Sequence, residues 1–147
     1  MAFRGRAEYS IDAKGRVAIP AKMRAAMGAE AEGKFIAIYG IDRGILLYPK
    51  DVWAKKEAEL ETLNQYRSEN REAIRRLFMN MEDAELDGQG RVALPKYVLE
   101  AAGLGPSTTA LILGAYDKIE LWNPAVFEEH VNQRSTEAET LVERVLG

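Results

Sequence analysis

The chain has 147 residues, of which 47% are hydrophobic and 29% are charged, and its formal net charge at pH 7 is −3. This length fits one compact domain, or two modules that share a core, and the composition is typical of a soluble globular protein. No segment approaches the roughly 18 consecutive apolar residues of a membrane span. Because the chain has no cysteine, disulfides and thiolate metal sites are excluded, and we expect a cytoplasmic protein.

The charge is distributed unevenly along the chain. Residues 1–27 contain six basic and two acidic residues, which gives this basic head a charge of +4 and leaves −7 for the remainder. Basic residues clustered at one end favour contact with an anionic partner such as nucleic acid. Arg4 and Arg6 open this head and are candidate DNA contacts.

The first predicted element is a hairpin. Tyr9 and Ile11 alternate with polar residues, which is typical of a half-buried strand. Residues 12–15 read Asp-Ala-Lys-Gly, with Asp and Gly at the positions that a type I turn favours, and residues 16–19 resume the alternation. Pro20 then stops the pairing and opens a short predicted helix.

A second hairpin is predicted over residues 35–48, and a longer helix opens after Pro49. A charged, helix-rich insert follows, with a predicted break near residues 64–70. The tail from Ser135 to Leu146 has helical spacing of its apolar residues and is predicted to form another helix.

These elements occur twice. Residues 12–20 recur as residues 87–95, and 11 of the 38 positions from Asp12 to Pro49 are identical 75 residues further on, without a gap. A gapless internal repeat of this length indicates a duplicated module. About four short strands and one small helix cannot bury a core alone, so we expect the copies to cover each other. The predicted division is a first module (1–53), a helical insert (54–81), a second module (82–126) and a C-terminal helical tail (127–147).

Catalysis has little support in the sequence. The only histidine, His130, lies in a predicted helix, where a packing or surface role is commoner than a catalytic one. Gly88 and Gly90 form a Gly-x-Gly that lacks the third glycine of a dinucleotide loop, and there is no nucleophile elbow or two-histidine metal spacing. We predict no enzyme, no cofactor and no metal site.

Nucleic-acid binding has a better physical case. Lys14 and Arg16 lie at the predicted hairpin turn, and a two-stranded ribbon can enter a major groove or follow phosphates. Arginine offers a rigid fork and lysine a mobile charge, while Gly15 would let the turn approach DNA closely. A structural alternative is that Asp12 and Arg16 pair within the turn and hold the hairpin. The spacing alone favours neither.

The paired motifs resemble those of the MraZ family, whose modules belong to the SpoVT/AbrB-like class that is also seen in MazE-type antitoxins. The likeness covers essentially the whole chain. The matching segments are Phe-Arg-Gly at 3–5, Asp-Ala-Lys-Gly-Arg at 12–16 with Pro20, Leu-Leu-Tyr-Pro at 46–49, Asp-Gly-Gln-Gly-Arg at 87–91 and Lys-Ile-Glu-Leu-Trp at 118–122.

The resemblance implies an α+β, β-rich fold, in which two tandem AbrB-like swapped-hairpin modules form a pseudo-dimeric β-barrel with flanking helices. It implies a ring-like homo-oligomer that binds double-stranded DNA at direct repeats upstream of its own gene. Such a protein regulates the division and cell-wall gene cluster, often as a repressor, and is cytoplasmic and nucleoid-associated. The DNA-contacting loop maps onto Lys14, Gly15 and Arg16, and onto Arg91 in the second copy.

Comparison of the copies predicts an asymmetry. Of the basic residues in the head, only Arg16 has a basic counterpart in the second copy, Arg91. We therefore expect the first copy to make the main DNA contact and the second to be mostly scaffold. The alternative function is a protein-interaction module, antitoxin-like or scaffolding, that uses the acidic helices.

Overall fold

A computed structural model describes residues 2–147 of the chain. A short 3₁₀ turn at Ala29–Ala31 supplements its strands and helices. These follow one another as β1 (Arg6–Ser10), β2 (Arg16–Ala18), α1 (Ala21–Ala26), β3 (Lys34–Ile38), β4 (Ile45–Pro49), α2 (Lys50–Leu60), α3 (Ser68–Met79), β5 (Met81–Glu85), β6 (Arg91–Ala93), α4 (Lys96–Ala101), β7 (Thr109–Gly114), β8 (Ile119–Trp122) and α5 (Pro124–Leu146).

The predicted duplication is confirmed by the order of these elements. β5, β6 and α4 begin and end 75 residues after β1, β2 and α1, residue for residue. β7, β8 and α5 then repeat the sequence of β3, β4 and α2. The chain is therefore a mixed α+β protein built from two tandem copies of one module.

The gapless alignment of the two copies is wrong beyond β3. In the first copy Ile36 lies opposite Tyr48, whereas its counterpart Leu111 lies opposite Trp122 and not Asn123. The connection between β7 and β8 is therefore one residue shorter than that between β3 and β4. Because the length of a hairpin connection sets the register of its strands, β8 is displaced by one position relative to the sequence match.

The strands of the two copies interleave in one antiparallel sheet. Its six strands have the order β1-β7-β8-β4-β3-β5, so each copy supplies an edge strand that pairs with the other copy. β2 and β6 pair with each other in a separate two-stranded ribbon. The closed barrel that the resemblance implies is therefore not formed, because β1 and β5 remain edges of an open ladder.

The core lies between the six-stranded sheet and the β2–β6 ribbon. Val17 and Val92 face each other across the ribbon and are fully buried, in one cluster with Ile112 and Leu121 of the sheet. Burial of these apolar side chains, contributed by both copies, is what fixes the ribbon on the body. Neither copy would have this core without the other.

Prolines start the helices as predicted, since Pro20, Pro49 and Pro95 directly precede α1, α2 and α4. The predicted break in the insert is also present, because α2 ends at Leu60 and α3 begins at Ser68. The tail, however, is not a separate helix. α5 runs unbroken over 23 residues from Pro124, because Asn123 caps its start and no residue interrupts it afterwards. No helix within residues 2–147 is long and apolar enough to cross a membrane.

Candidate nucleic-acid interface

The first turn is organised by the carboxylate of Asp12. Its Oδ1 accepts the backbone N–H groups of Lys14 and Arg16, both at 2.9 Å, and its Oδ2 accepts Nε of Arg16 at 2.6 Å. The backbone N–H of Arg16 is the main cause that lowers the pKa of Asp12, and the Arg16 side chain and the Lys14 N–H act in the same direction. The ionised carboxylate thus holds the turn in shape.

The second turn repeats this arrangement. Oδ1 of Asp87 accepts the backbone N–H groups of Gln89 and Arg91 at 2.8 and 3.0 Å, and its Oδ2 accepts Nε of Arg91 at 3.0 Å. The backbone N–H of Arg91 is again the main cause that lowers the pKa of Asp87. The pairing of Asp and Arg within the turn, which the sequence left as an alternative, is present in both copies.

The two turns are joined by the β2–β6 ribbon. Arg16 lies opposite Ala93 and Arg91 lies opposite Ala18, while the valines between them point into the core. The guanidinium of Arg91 also reaches across, with Nη1 3.8 Å from Oδ2 of Asp12. The outer face of the ribbon therefore presents two arginines, one from each copy, separated only by alanines. We call these four residues the arginine ribbon.

Gly15 faces the protein and not solvent. Its φ of +77° lies in the left-handed region that favours glycine, and the residue is buried. A Cβ placed on it would lie 2.8 Å from the carbonyl oxygen of Leu94 and 3.4 Å from Leu99. The close approach that requires a glycine here is therefore to the second copy, which is not the reason that the sequence suggested.

Arg24 is a residue of this surface that the sequence analysis did not select. A Cβ on Gly90 would lie 2.6 Å from the Arg24 guanidinium carbon, so this side chain covers the second turn. Its Nε donates to the carbonyl oxygen of Ile19 at 3.0 Å. The only signal in the sequence was its membership of the basic head, since nothing local indicates that a residue of the first copy lies on the turn of the second.

Three guanidinium groups at this surface share one pattern. Arg16, Arg24 and Arg91 are each anchored through Nε, and their terminal nitrogens donate no hydrogen bond to any residue in the 2–147 range. Lys14 is exposed at the first turn. The carboxylates of Asp12 and Asp87 already accept hydrogen bonds from backbone N–H groups. The terminal guanidinium nitrogens at this surface can therefore donate paired hydrogen bonds to phosphate oxygens or to the edge of guanine.

Arg4 and Arg6 are not brought to the ribbon. Arg6 lies opposite Leu113 at the start of β1, whereas the first turn follows the end of that strand. The strand separates the two by about 13 Å or more. The side chain of Arg6 instead lines a depression beside α5, with Phe127 and Glu128.

His130 has a packing environment. Its ring lies 5.1 Å from the ring of Trp122 and is stacked on Phe127 at 6.3 Å, centroid to centroid. Over the described range 2–147, no three His, Asp or Glu side chains are grouped so that they could hold a metal ion.

Comparison with known proteins places the chain in a family. A family model described as "MraZ protein, putative antitoxin-like" matches residues 2–76 and again residues 77–146. The chain belongs to the MraZ family. Three relatives, each named transcriptional regulator MraZ, show how far the similarity extends. The protein of Moorella thermoacetica is 33% identical over 98% of this chain and 96% of its own length. That of Shewanella violacea is 36% identical over 89% and 86%, and that of Pseudomonas putida 38% identical over 82% and 80%.

Proposed function

We propose that this protein regulates transcription by binding double-stranded DNA through the arginine ribbon and its two turns. The observation that carries the proposal is the pair of outward arginines, Arg16 and Arg91, which lie at diagonal positions on the same face of one antiparallel ribbon. A two-stranded ribbon of this kind fits a major groove, and a guanidinium fork can bond the edge of guanine or two phosphate oxygens. Membership of a family of transcriptional regulators supports the same function.

Four basic side chains take part in the proposed contact. Arg16 and Arg91 bind guanine edges or phosphate oxygens. Lys14 adds a mobile positive charge at the first turn, and Arg24 adds a guanidinium group at the second. Gly15 acts indirectly, by letting the first turn pack against Leu94. If all four cations meet phosphates, the logarithm of affinity should fall with the logarithm of salt with a slope of about −3.6 for each protomer.

Arg4 and Arg6 have a smaller part in the proposal. From the start of β1 they could meet only phosphates several steps along the duplex from those at the turns. Their contribution is a general attraction that salt screens, and not a reading of sequence.

The targets are proposed from the family resemblance. They are direct repeats upstream of the chain's own gene, in the division and cell-wall gene cluster. The protein would repress this cluster, and it would be cytoplasmic and associated with the nucleoid. One protomer neutralises few phosphates, so tight binding calls for a homo-oligomer, ring-like in this proposal, whose ribbons meet successive repeats. We also propose that the interleaved sheet is built from two swapped-hairpin modules. The proposed division of the chain is a first module (1–53), a helical insert (54–81), a second module (82–126) and a C-terminal tail (127–147).

The test is a binding titration of the upstream region of the gene, followed by fluorescence anisotropy at several salt concentrations. We expect tight binding to several repeats and much weaker binding to one, with a steep salt dependence. Arg16→Ala should weaken specific binding by about 1 to 3 kcal/mol, while Arg67→Ala, a change of another exposed arginine, should leave it intact. Binding that ignores both salt and Arg16 would contradict the proposal.

A second candidate function is a protein-interaction module. A groove of about 450 Å³ between α2, α3 and the sheet is lined by Trp53, Phe78 and Met81, with acidic residues Glu57 and Glu82 at its sides. An apolar groove with an acidic border fits a basic amphipathic segment of another protein. Binding through it would depend less on salt than DNA binding does, because the apolar contacts are not screened, and it would be lost on Phe78→Glu. DNA binding should fall steeply with salt and should be unaffected by Phe78→Glu.

A further inference from the structure

The second half of α5 packs against no other element among residues 2–147. Every residue from Val131 to Gly147 is exposed, and residues 135–146, the free half of α5, extend about 18 Å beyond the region where the helix meets the body. Four of its side chains are large and apolar, and they are exposed to 53% (Leu141), 56% (Val142), 83% (Val145) and 83% (Leu146). A polar helix would need no explanation here, but an apolar face left in water does.

Leu141 and Val145 continue the stripe that attaches the helix to its own body. Phe127 packs on Trp122 at 5.1 Å between ring centroids. From Phe127 the stripe alternates in steps of four and three residues, which is the seam of a coiled coil and keeps its members within one narrow face. Its positions are Phe127, Val131, Arg134, Ala138, Leu141 and Val145.

We propose that the free half of α5 pairs, in antiparallel orientation, with the same segment of a second copy of this chain. Glu137 and Arg144 lie on one flank of the stripe, each next to a core position of the seam. When Ala138 packs opposite the partner copy's Leu141 in antiparallel orientation, these flanks meet. Glu137 then lies opposite the partner copy's Arg144, and the pair forms twice by symmetry.

Two further features favour this orientation over the parallel one. A parallel pair would stack Arg134 on its own copy in the middle of the seam, where two positive charges would repel each other. The antiparallel pair separates these arginines and also aligns the helix dipoles favourably. In the isolated chain Glu137 has only a loose contact with Arg134, at 4.0 Å, so its carboxylate is available to a partner.

A second copy is the occupant that the sequence favours, because both the seam and the charges are self-complementary. A helix of about 12 residues is marginally stable alone in water, and pairing would supply the packing that it lacks. Such a two-fold contact joins copies in pairs, so a larger ring would need a second, head-to-tail interface.

Cysteine cross-linking tests the orientation directly, because the chain has no cysteine of its own. We expect an equimolar mixture of Ala138→Cys and Leu141→Cys proteins to form a disulfide-linked heterodimer under mild oxidation. Thr136→Cys, on the opposite face of the helix, is the matched control and should not cross-link. A homodimer of Ala138→Cys that forms faster than the mixed species would show parallel pairing and overturn the proposal.

Charge reversal tests the flanking pair. Glu137→Arg or Arg144→Glu alone should slow formation of the mixed cross-link and weaken association roughly fivefold, since two symmetric contacts are lost together. The protein that carries both reversals should recover the original rate, because the pair is restored with opposite signs. Leu141→Glu should remove the contact completely, while the circular dichroism spectrum and the weak binding of one ribbon to DNA with a single repeat stay unchanged. Cross-linking that is unaffected by Leu141→Glu, or absent from every cysteine pair, would refute the contact and leave the proposed function untouched.

Discussion

The turns at Asp12–Arg16 and Asp87–Arg91 have the same backbone but different surfaces. Both use an aspartate that accepts two backbone N–H groups and an arginine Nε, and both have a glycine with φ near +76°. They differ in what lies over that glycine. Gly15 packs against Leu94 and Leu99, whereas Gly90 lies against the guanidinium of Arg24.

This difference separates the structural part of the motif from its surface part. The shared residues hold each turn and the ribbon together, and they would be needed whatever the ribbon binds. Lys14 against Gln89 changes only the charge of the surface. Arg24 against Leu99 also changes the packing, because Leu99 is buried beside Gly15 while Arg24 lies over Gly90. Because Arg24 belongs to the first copy but covers the second turn, the ribbon is less asymmetric than the two sequences indicate.

The largest expected effect is on stability, from changes of the two glycines. Gly15→Ala should destabilise the protein by about 3 kcal/mol, because it adds both left-handed strain and a contact with the rigid Leu94 carbonyl. Gly90→Ala meets only the flexible end of Arg24 and should cost about 1 to 2 kcal/mol. Urea unfolding of both variants measures the difference. Equal losses would show that the Leu94 contact is unimportant.

Arg16→Ala and Arg91→Ala should each weaken DNA binding by about 1 to 3 kcal/mol, since each removes a fork from the same ribbon. The excess of positive charge in residues 1–27 predicts a much smaller loss of DNA affinity for Arg91→Ala than for Arg16→Ala. The position of Arg24 beside the second turn predicts comparable losses for the two variants. Anisotropy titrations of both variants against one DNA decide between these expectations. Circular dichroism on the same samples controls for damage to the Asp–Arg pairs.

Exchanging the differing charges should have a moderate effect. Arg24→Leu and Lys14→Gln each give one copy the residue that the other copy has at that position, and each should reduce the salt slope by about 0.9 per protomer. Gln89→Lys is the reciprocal change and should raise affinity. No change in slope for either loss would remove that residue from the interface.

The smallest expected effect is a dependence of stability on acid. The pKa of Asp12 and of Asp87 is lowered in the folded state, so each carboxylate stabilises the fold above about pH 4, and this contribution is lost as the pH falls through its lowered pKa. Asp12→Asn and Asp87→Asn should each flatten the fall in melting temperature between about pH 5 and pH 2. If the melting temperatures of both variants fall with pH as steeply as that of the parent protein, neither carboxylate contributes to stability.

Much of the fold could be predicted from local signals. The Asp-x-x-Gly turns, the proline-led helices and the 75-residue repeat all follow from residue types that restrict the backbone in one way. Two predictions failed because the repeat and the helical spacing were extended too simply along the chain. The one-residue shift of β8 follows from a connection length that the gapless match did not reveal. α5 begins at the cap Asn123 and runs through to Leu146, whereas a separate helix was predicted over residues 135–146.

By itself the sequence determined the duplicated module, the chemistry of its turns and the concentration of positive charge near the start of the chain. Only the tertiary structure decided where those charges lie. Pairing of β2 with β6 brought Arg91 to Arg16, packing of α1 placed Arg24 on the second turn, and the extension of β1 separated Arg4 and Arg6 from the ribbon. The physical reason is that local propensity acts over a few residues, whereas burial of Val17 and Val92 in a shared core fixes how segments 75 residues apart meet.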